Sequence, residues 1–122
     1  PRPGRARAVL REAEEALRGE DFAAAESRFR TALRLDRGSS AARSGLAYAL
    51  LAEEDLRSAR NAALGALRID ERDARAQLVL GTIAQTRGRL KRACRRYRRY
   101  LELGGGPMAG EIRSIVDQRC RS

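Results

Sequence analysis

Histidine and tryptophan are absent from the 122 residues, lysine occurs once, and aromatic residues make up only 4%. Without histidine there is no His-ligated metal site and no imidazole to move protons. With so few aromatics, the core must be built from leucine and alanine, and alanine lets helix axes come close together. No apolar run approaches the roughly 18 residues needed to cross a bilayer. Near the start, Ala8, Val9 and Leu10 form the whole of the apolar run and Arg11 ends it, so no signal peptide is read here. The first residue is Pro1 rather than Met, which leads us to expect a processed chain or a fragment of a longer protein, with any upstream signal or domain removed. The cytoplasm is slightly favoured, with the periplasm or envelope the expectation where such a signal existed. Cysteine occurs twice. Cys94 falls among apolar positions and is expected to be a small buried hydrophobe. Cys120, near the end, is expected to be exposed and available for an intermolecular disulfide, an intramolecular pair being the least expected arrangement.

What the chain has instead is self-similarity. From Ala74 to Arg87, the residues Leu78, Leu80, Gly81, Ile83 and Ala84 fall on a helical period that Gly88 interrupts; from Arg89, the residues Leu90, Ala93, Cys94, Tyr97, Tyr100 and Leu101 form one apolar stripe. Moving back 34 residues places Leu80 on Leu46, Gly81 on Ala47, Leu90 on Leu56, Ala93 on Ala59, Leu101 on Leu67 and Asp70 on Asp36. A second such step places Leu56 on Phe22, Ala59 on Ala25, Ala63 on Phe29 and Ala66 on Ala32. Three copies of a helix pair are therefore read, each stacking on the next through short-range contacts.

In chain order, residues 1–4 are expected to be a disordered tail, followed by a single domain over 5–122 with units at 5–39, 40–73 and 74–106 and a capping helix at 107–120. Helices are expected at about 5–18, 22–35, 41–52, 56–69, 74–87 and 89–103. Asp21, a serine of Ser39-Ser40 and Asp73 are candidate N-caps. Gly45, inside the third helix, is read as a site of close helix packing. The fourth helix offers little volume, because Ala59, Ala62, Ala63 and Ala66 line it, Gly65 interrupts it and Arg60 stands where the third unit has Cys94. Either the middle of the stack is thin or a long side chain reaches in from elsewhere. Gly104-Gly105-Gly106-Pro107 stops the sixth helix. The last helix, with Pro107 in its first turn, would turn Met108, Ile112, Ile115 and Val116 inward.

These residues resemble the tetratricopeptide repeat (TPR) family. The third unit carries the resemblance in Leu80-Gly81, Gly88, Leu90, Ala93, Tyr97, Tyr100 and Leu101. The first carries it in Ala13, Phe22, Ala25, Phe29, Ala32, Leu33 and Leu35-Asp36, and the middle in Leu46-Ala47-Tyr48, Leu56, Ala59, Ala66, Leu67 and Ile69-Asp70. Arg37 and Glu71 stand where the family commonly has proline, and Ala63 replaces a large aromatic. The resemblance implies an all-α, right-handed superhelical solenoid of three antiparallel helix pairs and one capping helix. It also implies a concave groove lined by the first helix of each pair. Carried over residue by residue, that groove would present Arg7, Leu10, Arg11, Glu14, Leu17 and Arg18 from the first unit. The second unit would add Ala41, Ser44, Gly45, Tyr48 and Leu51, and the third Arg75, Leu78, Val79, Thr82, Gln85 and Thr86. Family members that clamp the acidic tail of a chaperone use Lys, Asn and Arg at places occupied here by Leu10, Glu14, Gly45, Arg75 and Val79. Only Arg75 fits, so that function is rejected in favour of an extended or helical peptide whose apolar side chain enters near Gly45 and Tyr48. Bacterial three-unit domains of this kind resemble parts of secretion chaperones, envelope assembly proteins and signalling kinases, and a bacterial source is expected.

Charge is distributed unevenly. Residues 74–106 carry nine basic groups and one acidic, which is +8 of the net +10. Lys91, Arg92, Arg95, Arg96, Arg98 and Arg99 take the outward places of the sixth helix, with no carboxylate before Glu102. Like charges at i,i+4 cost a few tenths of a kcal/mol each, so an acidic or anionic partner at the third repeat is the competing functional reading: an acidic protein, a nucleic-acid backbone or lipid headgroups. Exposed aromatics for base stacking are lacking. Gly104-Gly105-Gly106 has neither the preceding strand nor the Lys-Ser/Thr of a phosphate loop. The sequence therefore reads as a non-enzymatic interaction module with no cofactor, no metal, another protein as its partner and no indication of homo-oligomerisation.

Overall fold

The computed structural model describes residues 3–121. Among them the chain forms seven helices and no strand: α1 (Pro3–Arg18), α2 (Phe22–Leu35), α3 (Ser40–Ala52), α4 (Leu56–Ile69), α5 (Ala74–Thr86), α6 (Leu90–Glu102) and α7 (Ala109–Arg119). The first helix begins at Pro3 rather than near residue 5, proline being well suited to the first helical position. Pro1 and Arg2 of the expected tail lie outside the described residues. Pro107 is in the turn before α7 rather than in its first turn.

Local chemistry repeats with the same step as the apolar pattern. Asp21, Ser39, Asp55 and Asp73 each accept a hydrogen bond from the backbone N–H three residues on, and so cap α2, α3, α4 and α5. The turn inside each pair carries one residue in the left-handed region: Glu20 (φ 60°), Glu54 (φ 65°) and Gly88 (φ 74°). At each, the next N–H reaches back to close the helix end, from Asp21 to Ala16, Asp55 to Leu50 and Arg89 to Ala84. This is the Schellman pattern. Only the third unit places glycine at the strained position.

Each pair packs internally, α1 on α2, α3 on α4 and α5 on α6. Between units, α1 touches α3 and α3 touches α5, while α2 makes no contact with α4, nor α4 with α6. Between the units α2 also packs on α3 and α4 on α5; the first helices therefore form a continuous inner row and the second helices splay apart, which makes the α1/α3/α5 side concave. The core runs through both junctions: Leu46 and Leu80 are buried, and Ala25, Phe29, Ala47, Ala59, Ala63, Ala66 and Val79 are closed to solvent. The alanines allow this close approach.

Two glycines do the same at sharper points. A Cβ on Gly45 would lie 2.2 Å from the Phe29 ring, and one on Gly81 would lie 2.5 Å from the Tyr97 ring. Close helix packing is thus the role of Gly45. The thin middle of α4 is covered from α3: a Cβ on Gly65 would lie 3.6 Å from Arg43 Cδ, and Arg43 Nη2 donates to the Arg37 carbonyl at 3.1 Å.

The final helix packs on α6. Ile112 is buried there, with Met108, Ile115 and Val116 partly buried against the same cluster. Cys94 and Cys120 form a disulfide with Cα atoms 5.6 Å apart, and Cys120 is buried. Cys94 is buried as expected; the expectations corrected are that Cys120 is exposed and that the two do not pair. The glycine-rich turn folds α7 back along α6, so the end of the chain returns to the stripe on which Cys94 lies, and Arg98 donates to the Cys120 carbonyl.

Candidate functional site

Among the described residues, two of the cavities face opposite sides of the inner row. The first, about 440 Å³, opens on the concave face between α1, α3, α5 and the α6–α7 turn. Its walls are mostly apolar: Leu17 from α1, Tyr48 from α3, Leu78 from α5, then Tyr100 and Met108. The glycine run that stops α6 also builds this wall. A Cβ on Gly106 would come within 3.0 Å of the Tyr100 hydroxyl, and the Met108 N–H donates to that hydroxyl at 3.3 Å. Tyr97 Oη donates to Gln85 at 2.6 Å. Burial pushes both phenols up from their ordinary value, so they remain neutral hydrogen-bonding groups.

At one edge of this cavity, Arg75 ties the three units together. Its guanidinium donates to both oxygens of Glu14 (2.7 and 2.9 Å), to the Ala41 carbonyl (2.9 Å) and to Ser44 Oγ (3.2 Å), with the Phe29 ring centroid 5.8 Å away. A bidentate pair of this kind is among the stronger charge-assisted contacts. It also removes both charges from the groove as free recognition groups.

The residues expected to line the groove therefore separate. Glu14, Tyr48, Arg75 and Leu78 come together at the cavity, along with Leu17 and Arg18. Arg7, Leu10, Arg11, Leu51, Thr82, Gln85 and Thr86 do not line it: Arg7, Arg11 and Thr86 are exposed, Leu10 and Leu51 pack on the core, and Thr82 and Gln85 are half-buried. Three expectations are corrected. Gly45 points at Phe29, not into the groove, and so leaves no room there for a partner's side chain. Val79 is fully buried in the core, and Ser44 is buried as a partner of Arg75. The resemblance placed Gly45 beside Tyr48 in the groove, but the close approach of α2 takes up the Gly45 side of α3. The α6–α7 turn was missed as part of the wall; its signal was the glycine run directly ahead of the chain's sole methionine.

The second cavity, about 510 Å³, lies where α4 and α6 splay apart. Its floor is the outward side of α5, with Gln77, Leu80, Ile83 and Ala84, and Leu64 of α4 adds to it. Arg92, Arg95, Arg96 and Arg99 form one wall; Arg60 stands on the other, and Arg87 and Arg89 close one end. The expected basic patch thus divides. Four of its members face this cleft, whereas Lys91 is exposed outside it and Arg98 turns toward Cys120. Arg96 donates to Gln77 Oε1 at 3.3 Å, and Arg99 reaches Glu102 at 3.6 Å. The Arg96 guanidinium is held below its usual value, first by burial and then by Arg95 and Arg60.

Among the described residues there is no group of three or more His, Cys, Asp or Glu side chains that could hold a metal ion, and no helix long and apolar enough to cross a membrane.

A tetratricopeptide repeat family model matches residues 2–83, and the chain belongs to that family. The fold is shared with the TPR domain of Arabidopsis OM64, at 20% identity over 91% of this chain and 93% of that one, with a TM-score of 0.79. The first TPR of Spaghetti (RPAP3), bound to the HSP90 peptide SRMEEVD, is similar at 16% identity, 95% and 94% coverage and a TM-score of 0.76. The Yersinia enterocolitica type III secretion translocator chaperone SycD is similar at 17% identity, 97% and 90% coverage and a TM-score of 0.79. Comparison with curated proteins gives no match. The structural relatives come from plant, human, fungal and bacterial sources, so the likeness does not support the expected bacterial origin.

Proposed function

We propose that the chain is a protein-interaction scaffold that seats an apolar side chain of a partner peptide or helix in the concave cavity between α1, α3 and α5. The observation that carries this reading is the cavity itself, an apolar concavity of ligand size with Tyr48, Leu78 and Met108 at its walls. Two structural relatives support a partner-holding role, one bound to an HSP90 peptide and one a secretion translocator chaperone. The acidic-tail clamp is again disfavoured. Arg75, the one residue matching it, is already bound to Glu14.

Selection of a random peptide library on the folded chain tests this reading. Enriched peptides should share an apolar anchor, and Tyr48→Ala should weaken them about ten-fold or more. Enrichment of peptides without acidic residues that ignores Tyr48→Ala would reject the site. For the compartment, the Cys94–Cys120 disulfide supports an oxidising environment over the cytoplasm, and trapping thiols with an alkylating agent at cell lysis tests that placement.

A further inference from the structure

The arginine-lined cleft follows from two features that can be separated. The fold supplies the gap, because the outer helices of successive units do not touch. The same gap recurs between α2 and α4, one repeat earlier, and the chain contains its own comparison. Stepping back 34 residues from Arg60, Arg87, Arg89, Arg92, Arg95, Arg96 and Arg99 reaches Glu26, Glu53, Asp55, Ser58, Asn61, Ala62 and Gly65. None is basic and three are acidic. Packing of the repeat therefore does not call for arginine at these places, and neither does an arginine-rich composition acting evenly along the chain.

The floors differ as well. In the earlier gap Arg43 reaches over Gly65, its Cδ 3.6 Å from where a Cβ would lie, whereas its equivalent in the later gap is the shorter Gln77, on the floor of the open cleft. The groups lining that open cleft include seven cations and no carboxylate. Among the described residues, their repulsion is relieved by the Arg99 contact to Glu102 and the neutral Gln77 acceptor.

We infer that the cleft between α4 and α6 is a second binding site, distinct from the concave cavity, and that its ligand is an acidic peptide segment of a partner protein carrying apolar side chains between its carboxylates. Arginine forks match carboxylates in bidentate fashion. The floor of Leu64, Leu80, Ile83 and Ala84 gives an apolar side chain a place beneath them. A nucleic-acid strand fits less well, because no aromatic lines the cleft for a base to stack upon.

Fluorescence anisotropy at low and physiological salt tests this with a labelled peptide in which glutamates alternate with leucines. The comparison probes are the same peptide with serine at each leucine, a single-stranded oligonucleotide of equal charge, and vesicles containing anionic lipid. The leucine peptide should bind tightest and weaken as salt rises. Arg60→Gln, Arg92→Gln and Arg95→Gln combined, all at exposed residues, should weaken it about ten-fold or more. Arg113→Gln, Arg119→Gln and Arg121→Gln, an equal loss of charge outside the cleft, should change it less than about two-fold. Tyr48→Ala should leave it unchanged, which separates this site from the concave one. Melting curves should show the cleft variant at least as stable as the parent, since like charges are removed. The inference is overturned if the serine peptide binds as well, if oligonucleotide or vesicles bind more tightly than the leucine peptide, or if the control triple loses as much as the cleft triple.

Discussion

Replacing Gly45 with alanine sets two readings of α3 against each other by sign. If Gly45 faced an open groove, the change would stabilise the helix by up to about 1 kcal/mol, the ordinary glycine-to-alanine gain. The structure instead puts the new Cβ 2.2, 2.3 and 2.8 Å from three carbons of the Phe29 ring, far inside the roughly 3.5–4.0 Å of favourable carbon contact. The ring is fully buried and lies beneath Arg75, so it cannot swing away without disturbing the α1–α3–α5 strut. Overpacking of this kind costs about 1–3 kcal/mol. Set against the propensity gain, a net loss of up to about 2 kcal/mol is expected, a fall in Tm of up to roughly 8 °C for a chain of this size. Thermal and urea melts followed by far-UV circular dichroism read it directly. The loss should shrink by about 1 kcal/mol or more in a Phe29→Leu background, where the smaller side chain yields room. A rise in Tm for Gly45→Ala, or the same loss with and without Phe29, would refute the packing argument.

Other expectations follow from the same geometry and are measured by the same melts. Gly65→Ala should raise stability by about 0.5–1 kcal/mol, since its Cβ would meet Arg43 and Arg68 only at an ordinary 3.6 Å. Glu20→Gly and Glu54→Gly should each stabilise by roughly 0.5–1 kcal/mol, because both residues hold positive φ where the third unit has Gly88; destabilisation by either would contradict the turn assignment. Arg75→Gln should cost about 1–3 kcal/mol through the groups left without it, Glu14, Ser44 and the Ala41 carbonyl. Reduction of Cys94–Cys120, a link across 26 residues, should lower stability by up to about 3.5 kcal/mol, with hydrogen exchange rising first in α7.

Much of the architecture was legible because it is local and repeats. Apolar spacing gave the helices, Asp21, Ser39 and Asp73 gave their starts, and the step from Leu46 to Leu80 gave the stacking. What escaped is what depends on how close two helices come and on how far a chain returns. The direction of Gly45 was decided by Phe29 on another helix, and the bond from Arg75 to Glu14 joins residues 61 apart with no sequence signal. Cys120 meets Cys94 only because the glycine turn reverses α7 along α6. Half of the second site was visible as an arginine run on α6, but Arg60, Arg87 and Arg89 join it only once α4 and α6 splay. The signal is present in the register itself: 34 residues before Arg60, Arg87 and Arg89 stand Glu26, Glu53 and Asp55.

Met108 is the sole methionine of the chain and stands in the wall of the concave cavity, so a sample labelled only at methionine methyl carbons gives a single NMR resonance that reports on that cavity. Titration with a peptide free of acidic residues, selected on the folded chain, should shift or broaden this resonance in step with binding, and Tyr48→Ala should abolish the change. A peptide that binds to saturation while the Met108 signal stays where it was would contradict the claim that partners are held on the concave face.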